Sequence, residues 1–515
     1  MSLGETPKQK SLLSSSAEYC EARLGKGSLY SLLNRQGESL FPDRSFADIF
    51  AGDGRSSVPP RVVATVMVLQ RAEGLSDREA VERFSFDLRW KHAAGGLDYD
   101  YPSFAHTVLV SMRARLRNSE RPDRIFEATL EMCKAAGLVG RKRILDSTAL
   151  YDAVATQDTV TLIRMAIRGL LREAGEELSG QLREALQRDD DYAAAGKPKC
   201  EWDDSEARLA LVDALSRDAY AALECLKDGT HSKRVNEAIA LLATVVGQDI
   251  EGNVQDGFTI IRGVAKDRVI STVDPEARHG HKTKSRSFDG YKGHISIDAD
   301  SEIIVATDVS AGNAGDGEAA TVLLEEALDQ ALSASTDEPV EVYGDASYGT
   351  ADIVETLEAA GIKANVKVQE ASSQKGFLAK KDFDIDLNDN TVRCPSGHLV
   401  VIREFANGTG GLAQFKSHCK QCPLKSRCTK SNKGRTIRIH AKEETLHRSR
   451  VRQRSPEWKK NYRAVRPKVE RKFAHLCRHR HGGRRARVRG RTRVRHDFSL
   501  LCAATNLKRY AALLT

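Results

Sequence analysis

Residues 290–349 have the sequence GYKGHISIDADSEIIVATDVSAGNAGDGEAATVLLEEALDQALSASTDEPVEVYGDASYG, which contains most of the sheet that we expect. Two runs rich in β-branched residues, 291–298 and 302–309, flank a turn-prone segment and predict a β-hairpin. Helical spacing follows over residues 318–332, and residues 339–343 predict a third strand. This succession of hairpin, helix and strand is typical of an α/β fold.

An acidic residue, Asp345, directly follows the third strand. Open α/β sheets place their chemistry at the carboxyl ends of buried strands, so this carboxylate is a candidate catalytic group. The alternative is that Asp345 caps the helix expected to begin near Thr350.

Two other acidic residues have comparable settings far away in the sequence. Asp146 follows a short apolar strand, where a carboxylate must be hydrogen-bonded, paired or bound to a cation. Glu470 lies beside an apolar helical stripe, one turn after Arg466. The structural alternatives are a strand-end aspartate without catalytic function and an i, i+4 surface ion pair. Pro467 either opens this helix or kinks a longer one.

Residues 41–139 show the spacing of short helices, including the capping-box pattern from Ser76 to Glu79. A later helix of this region carries three arginines: Arg113, Arg115 and Arg117. The arrangement suits a helix-turn-helix DNA-binding domain, and it suits an ordinary helical packing domain equally well. Residues 1–40 look like a loose lead-in.

Residues 157–285 interrupt the strands with helical segments and contain no catalytic constellation. We expect a helical insertion that contacts DNA or a second subunit. Four basic residues between Lys282 and Lys292 then lead into the hairpin. They form either a solvated loop or a lip that contacts phosphate.

A second insertion, residues 370–455, contains four of the ten cysteines: Cys394, Cys419, Cys422 and Cys428. Two thiolates separated by two residues can both reach one tetrahedral ion, and the other two cysteines would complete a four-sulfur shell. The pattern predicts structural zinc or an iron–sulfur cluster, and the alternative is a set of reduced surface thiols. No general base accompanies the cluster, so catalytic zinc is not expected.

Charge is distributed unevenly along the chain. Residues 429–497 contain 25 Lys and Arg against 5 Asp and Glu, although the whole chain carries only +9. Such asymmetry indicates a polyanionic partner for the carboxyl-terminal part. The arginines of residues 484–495 alternate with small residues, which suits phosphate contact from a strand or extended loop, or a disordered RNA-binding tail. We expect a cytoplasmic protein, because the chain has no apolar run long enough for a bilayer and no secretory signal.

Several motifs together resemble the DDE transposases of bacterial insertion sequences, over roughly residues 41–510. The motifs are Leu145-Asp146-Ser147-Thr148, Gly290-Tyr291-Lys292-Gly293-His294, Asn313 with Asp316, Tyr343 to Tyr348, Arg466-Pro467-Lys468-Val469-Glu470, and Asn506 to Arg509. Residues 74–79 also resemble the helical DNA-binding region of that family.

The resemblance implies an α/β fold with an RNase H-like mixed sheet at residues 140–510. The two insertions would interrupt this core, residues 456–510 would form a basic helical region carrying the glutamate, and an all-α domain at residues 41–139 would precede it. By the resemblance, Asp146, Asp345 and Glu470 form the catalytic triad and bind Mg²⁺ or Mn²⁺, the hard cations that oxygen ligands favour.

The implied function is to cut transposon ends and to join the free 3′-hydroxyls to target DNA by two-metal phosphoryl transfer. Expected partners are double-stranded DNA of the terminal inverted repeats and of the target, with a homodimer or larger assembly near the nucleoid. The expected DNA-contacting residues are Lys292, Arg466, Lys472, Arg484, Arg485 and Arg487.

The last helix departs from the family pattern at two positions. Tyr462 lies one residue further upstream of Arg466 than usual, and Cys477 occupies the position of the usual lysine. Lys472 or Arg478 would have to supply that phosphate contact. The alternative functions are a catalytically inactive DNA-binding derivative and a metal-dependent nuclease without strand transfer.

Overall fold

The computed structural model describes residues 15–51, 56–152, 154–194, 196–283, 285–333, 338–371, 376–478 and 481–513. Its amino-terminal part contains seven helices: α1 (Ser16–Arg23), α2 (Leu29–Leu40), α3 (Pro60–Glu73), α4 (Asp77–Phe86), α5 (Leu88–Ala93), α6 (Thr107–Arg117) and α7 (Arg124–Ala135). Local chemistry sets their ends. Gly74 closes α3 with a left-handed φ of 73°, and Ser76 with Glu79 forms the predicted capping box of α4.

The prediction of a loose lead-in over residues 1–40 is wrong for its described part. Ser28 caps α2, and the leucines of that helix are buried in the main core. A serine cap followed by leucines at helical spacing provides a buried stripe, which the Ser, Gly and Lys content of the segment obscured. Residues 1–14 lie outside the described part of the chain.

Strand β1 (Lys142–Tyr151) precedes the helical insertion. The insertion contains α8 (Thr159–Glu173), α9 (Gly175–Ala185), α10 (Ser205–Cys225), α11 (Lys233–Asp249), β2 (Ile250–Asn253) and β3 (Gly257–Ile260). These elements bury a hydrophobic cluster of their own. Most of the insertion is therefore helical, as predicted.

The central sheet continues with β4 (Arg278–Thr283), β5 (Arg286–Asp298), β6 (Ile304–Ala311), α12 (Ala320–Leu332), β7 (Glu341–Gly344), α13 (Ala351–Ala359) and β8 (Lys363–Val366). The strand order is β4-β5-β1-β7-β8, and β6 also pairs with β5. Strands β1, β7 and β8 are parallel to one another, whereas β5 is antiparallel to β1 and to β6. The predicted hairpin, helix and third strand are all present.

Two strand predictions need correction. Strand β1 does not end at Asp146, because residues 147–151 continue to pair with β5. Residues 278–283, expected to belong to the insertion, form β4 and pair with the first part of β5. In both cases pairing with the long strand β5 extends a segment that lacks a strong strand signal of its own.

The cysteine-containing region forms a separate antiparallel sheet. Its elements are β9 (Asp384–Asp386), β10 (Thr391–Arg393), β11 (Leu399–Glu404), β12 (Gly410–Gln414), α14 (Lys425–Cys428) and β13 (Thr436–His440). The strand order is β13-β12-β11-β10-β9, and its hydrophobic cluster is small.

The chain then forms α15 (Glu443–Arg452), α16 (Pro456–Val465), α17 (Pro467–Leu476) and α18 (Arg491–Leu513). Helix α18 is buried in the same core cluster as the amino-terminal helices and β5. Gly293 permits this packing, because a Cβ there would lie 2.9 Å from the ring of Phe498. Within the described residues, every helix is too short or too polar to cross a membrane.

Candidate active site

Two of the three predicted acids meet on neighbouring parallel strands. Ile144 of β1 lies opposite Tyr343 of β7, so Asp146 and Asp345, each two residues further on, lie at the same level of the sheet. Asp146 is in the middle of β1, and Asp345 directly follows β7. Strand pairing therefore brings together two residues that are 199 positions apart in the sequence.

A guanidinium group lies between these two carboxylates. Arg466 Nη2 is 2.9 Å from Asp146 Oδ1 and 4.0 Å from Asp345 Oδ2. The arginine is 8% exposed, and its Nη1 is buried without a hydrogen-bond partner among the described residues. Arg466 thus neutralises the acid pair from the junction of α16 and α17.

The two aspartates differ in exposure. The side chain of Asp146 is 13% exposed and that of Asp345 is 40% exposed. Burial raises the pKa of the Asp146 carboxyl to about 6, Arg466 opposes this shift, and the charge of Asp345 adds to it. A carboxylate in this setting favours a nearby cation.

Helix α16 is fixed to the strand that carries Asp345. The hydroxyl of Tyr462 donates to the carbonyl of Gly344 at 3.1 Å, and its ring stacks on Trp458 with centroids 4.7 Å apart. Tyr462 and Arg466 are one helical turn apart, so the unusual spacing leaves both on the same face. Pro467 is the first residue of α17, directly after the end of α16.

Glu470 is exposed on α17, one turn after Arg466. It forms no ion pair with the described residues, and no three acidic, histidine or cysteine side chains among them are grouped to hold a metal ion. The structure brings Asp146, Asp345 and Arg466 together, whereas Glu470 is not part of a common ligand set.

Two sets of hydrogen-bonded polar side chains lie in this part of the sheet. Ser147 donates to Asp316 at 2.7 Å, and Lys292 Nζ is 2.8 Å from the same carboxylate. His294 lies between Tyr348 and Ser310, and burial lowers its pKa to about 4. Motifs in the sequence mark Lys292, His294 and Asp316, but they do not predict the side-chain partners of these residues.

Besides Arg466, three of the residues predicted to contact DNA are bonded within the protein. Lys472 is 2% exposed, with Nζ 4.0 Å from Glu302, so its predicted contact with phosphate is wrong for this conformation. Its position on α17 directs the side chain into the core. Arg487 is partly buried and donates to the carbonyl of Leu75, and Lys292 is held by Asp316.

Two other predicted contacts, Arg484 and Arg485, are exposed. They line a recess together with Arg478, Cys477 and Tyr151. For residues 484–495 the sequence predicts a strand or an extended loop, with a disordered tail as the alternative. The segment forms one bridge with Tyr151 of β1 before the chain enters α18.

The arginines of α6 are largely held against neighbouring helices. Arg113 pairs with Asp77, and the guanidinium of Arg115 lies 4.6 Å from the centroid of the Phe50 ring. These contacts account for two of the three arginines through packing, and DNA contact by this region remains a prediction.

The four predicted metal-binding cysteines line one pocket of the second sheet. Cys419 accepts from the backbone N–H of Arg435 at 3.4 Å, and Ser396 Oγ is 3.1 Å from Cys422 Sγ. Burial raises the pKa of the Cys428 thiol, Arg435 opposes the shift, and the other three thiols add to it. All four are free thiols in this structure.

Comparison with protein families gave two matches. The family described as a transposase DDE domain matches residues 393–511, and the transposase domain DUF772 matches residues 18–115. The first range includes the cysteines, Arg466 and Glu470, and the second begins within α1. Comparisons with curated proteins and with solved structures gave no significant match.

Proposed function

The chain carries the DDE domain and the DUF772 domain typical of insertion-sequence transposases, and we propose that it cuts transposon-end DNA and joins the 3′-hydroxyls to target DNA. The observation that carries this proposal is the meeting of Asp146 and Asp345 around Arg466. The strand order, with both aspartates on adjacent parallel strands, supports an RNase H-like core.

The residues at this site fit a hard divalent cation. Two carboxylates face one largely buried position, and oxygen ligands select Mg²⁺ or Mn²⁺ over softer metals. Asp146, Asp345 and Glu470 would hold the ions. Two bound ions would activate the attacking oxygen and stabilise the leaving oxygen of a phosphodiester.

The protein's own groups prepare the site for this role. Arg466 offsets the repulsion between Asp146 and Asp345, and its unpartnered Nη1 can donate to a phosphate oxygen. Tyr462 fixes α16 on the strand end, which sets the position of Arg466. Bound divalent ions would supply the positive charge between the aspartates, which would leave Arg466, one turn away from Glu470, to hold the DNA backbone.

Phosphate contacts outside the acid pair fall to Arg478, Arg484 and Arg485, which share one exposed recess. Arg478 takes the place of the usual lysine of the last helix, since Cys477 cannot donate a charged hydrogen bond. The helical region around α3 to α6 would bind the terminal repeats, with a dimer or larger assembly joining two ends.

A strand-joining assay tests the proposed function. The substrate is duplex DNA carrying the inverted repeats that flank the gene, with Mg²⁺ present. We expect wild-type protein to cut and join these ends, and Asp345→Ala to bind the same DNA without joining. Cutting without joining would identify a nuclease, and binding without either reaction would identify a catalytically inactive derivative.

We also propose that Cys394, Cys419, Cys422 and Cys428 bind a structural zinc ion. They come from separate segments and line one pocket, and the sheet around them has a small hydrophobic cluster that an ion would stabilise. The described side chains are not yet grouped around an ion position, so binding requires the thiols to turn inward. One equivalent of zinc in purified protein, lost in Cys422→Ala but retained in Cys225→Ala, would support the site. Protein without zinc and with unchanged thermal stability in a chelator would contradict it.

A further inference from the structure

The second sheet is strongly polarised in charge. Residues 405–442 contain nine Lys and Arg and no Asp or Glu, and they include β12, α14 and β13. At the opposite edge, the segment around β9 contains four aspartates: Asp382, Asp384, Asp386 and Asp389. The positive charge is therefore concentrated at the β13 edge of the sheet.

Most of these basic side chains are not neutralised within the protein. Seven of the nine form no ion pair with described residues: Lys416, Lys420, Lys425, Arg427, Lys430, Lys433 and Arg438. We call these seven residues the basic face. All are exposed except Lys425, which is half-buried. Of the remaining two, Lys442 pairs with Asp352 and Glu355, and Arg435 donates to the carbonyls of Cys428 and Leu378.

Arg438 of the basic face is aligned with another arginine across the strands of the sheet. Arg403, Leu412 and Arg438 lie opposite one another on β11, β12 and β13. Arg438 lies 5.4 Å from the ring centroid of Phe405, and Lys430 lies 5.6 Å from that of Phe377. Cations held over aromatic rings keep their charge while losing side-chain freedom, which lowers the entropy cost of binding an anion.

The basic face is attached to the candidate active site through α13. The Lys442 ion pairs join the end of the second sheet to α13, which begins six residues after Asp345. Helix α15 then leads through α16 to Arg466. A polyanion on the basic face would therefore bind to a region that is joined to α13, the helix that follows Asp345.

We propose that the basic face binds the phosphate backbone of double-stranded DNA next to the segment in the active site. This inference rests on the proposed function for the identity of the polyanion. Exposed cations without internal partners are suited to replace the counterions of DNA, and contacts with phosphate carry no sequence information. The contact would be independent of sequence and strongly dependent on salt.

The test compares two triple variants of the full-length protein in DNA-binding titrations over a range of salt concentrations. The first variant is Lys425→Ala/Arg427→Ala/Lys430→Ala. The control is Arg183→Ala/Lys199→Ala/Lys233→Ala in the helical insertion, which removes the same charge from exposed residues without ion pairs. Thermal melting verifies that both variants fold.

We expect the first variant to bind duplex DNA of any sequence at least 10-fold more weakly at moderate salt. The slope of log K against log salt should fall by about 2 to 3, because each phosphate contact contributes about 0.9. The control should reduce affinity and slope less than the first variant does. An equal loss in both variants, or no loss in either, would overturn the proposal, as would preferential loss of RNA binding.

Failure of the basic-face proposal can be distinguished from failure of the proposed function. If wild-type protein joins DNA ends but the first variant keeps its affinity and slope, the basic face is wrong and the function stands. If wild-type protein cuts no DNA but loses affinity through this variant, the function is wrong and the basic face stands.

Discussion

The central sheet and the second sheet handle charge in opposite ways. In the central sheet, Arg466 faces the two aspartates, and Lys292 faces Asp316. On the second sheet, the seven cations of the basic face form no ion pair with the described residues. Paired charges in a largely buried site act on each other over short distances, and salt screens them little. Unpaired surface charges act on a large polyanion at longer range and are screened by salt.

The largest effect should come from Glu470, which lies outside the acid pair in the structure and which the proposed function places among the metal ligands. Glu470→Gln should lower metal-dependent joining by roughly 10³-fold or more, because loss of one catalytic ligand removes stabilisation of the transition state. Single-turnover joining kinetics measure this effect. Glu457→Gln, an exposed glutamate on α16, is the matched control. Wild-type rates in Glu470→Gln would remove Glu470 from the site.

Replacement of Arg466, which lies between the two aspartates, should leave their carboxylates to repel each other. Arg466→Ala should lower the free energy of unfolding by about 2–4 kcal/mol without divalent ions, since it leaves partly buried carboxylates unpaired. Mg²⁺ should then raise the Tm of this variant more than that of wild type, because ion binding stabilises the folded state. Arg463→Ala, one turn earlier and exposed, should behave like wild type. Equal Mg²⁺ responses in all three proteins would show that Arg466 does not occupy an ion position.

The core around α18 should carry a pH dependence. His496 of α18 is buried without hydrogen-bond partners among the described residues, and burial lowers its pKa to about 4. Because the unfolded chain binds this proton near pH 6.5, the free energy of unfolding should fall as pH drops from about 6.5 to 4, by roughly 3 kcal/mol.

Urea unfolding of His496→Leu at several pH values measures that contribution. The variant should lose part of the acid sensitivity, whereas His447→Leu on exposed α15 should keep it. Identical pH profiles for wild type and His496→Leu would contradict the assignment.

The smallest effect is expected at Lys472, which the sequence predicts to contact DNA. Lys472→Met should change DNA affinity by less than about twofold, because the buried Nζ faces Glu302 rather than solvent. Arg484→Met in the exposed recess should weaken binding measurably in the same titration. A larger loss in Lys472→Met than in Arg484→Met would show that α17 turns when DNA binds.

Elements with strong local signals were predicted well. The hairpin, α12, β7 and α13 follow from periodicity, and the capping box of α4 follows from Ser76 and Glu79. The errors fall where pairing with a distant segment overrides weak local preference, as in β4 and the second half of β1.

The sequence by itself determined which residue types are available and where most helices and strands begin. It placed Asp146 and Asp345 on separate strands, Glu470 beside Arg466 on a helix, and four cysteines in one insertion. These features depend on spacing within a few residues, which local backbone geometry converts directly into structure.

The tertiary structure decided which of these groups meet. Only the parallel pairing of β1 with β7 sets Asp146 level with Asp345, and only the packing of α17 turns Lys472 inward while Arg466 reaches the acids. Contacts between residues more than a hundred positions apart depend on how separate elements fill one core. No local pattern specifies that arrangement.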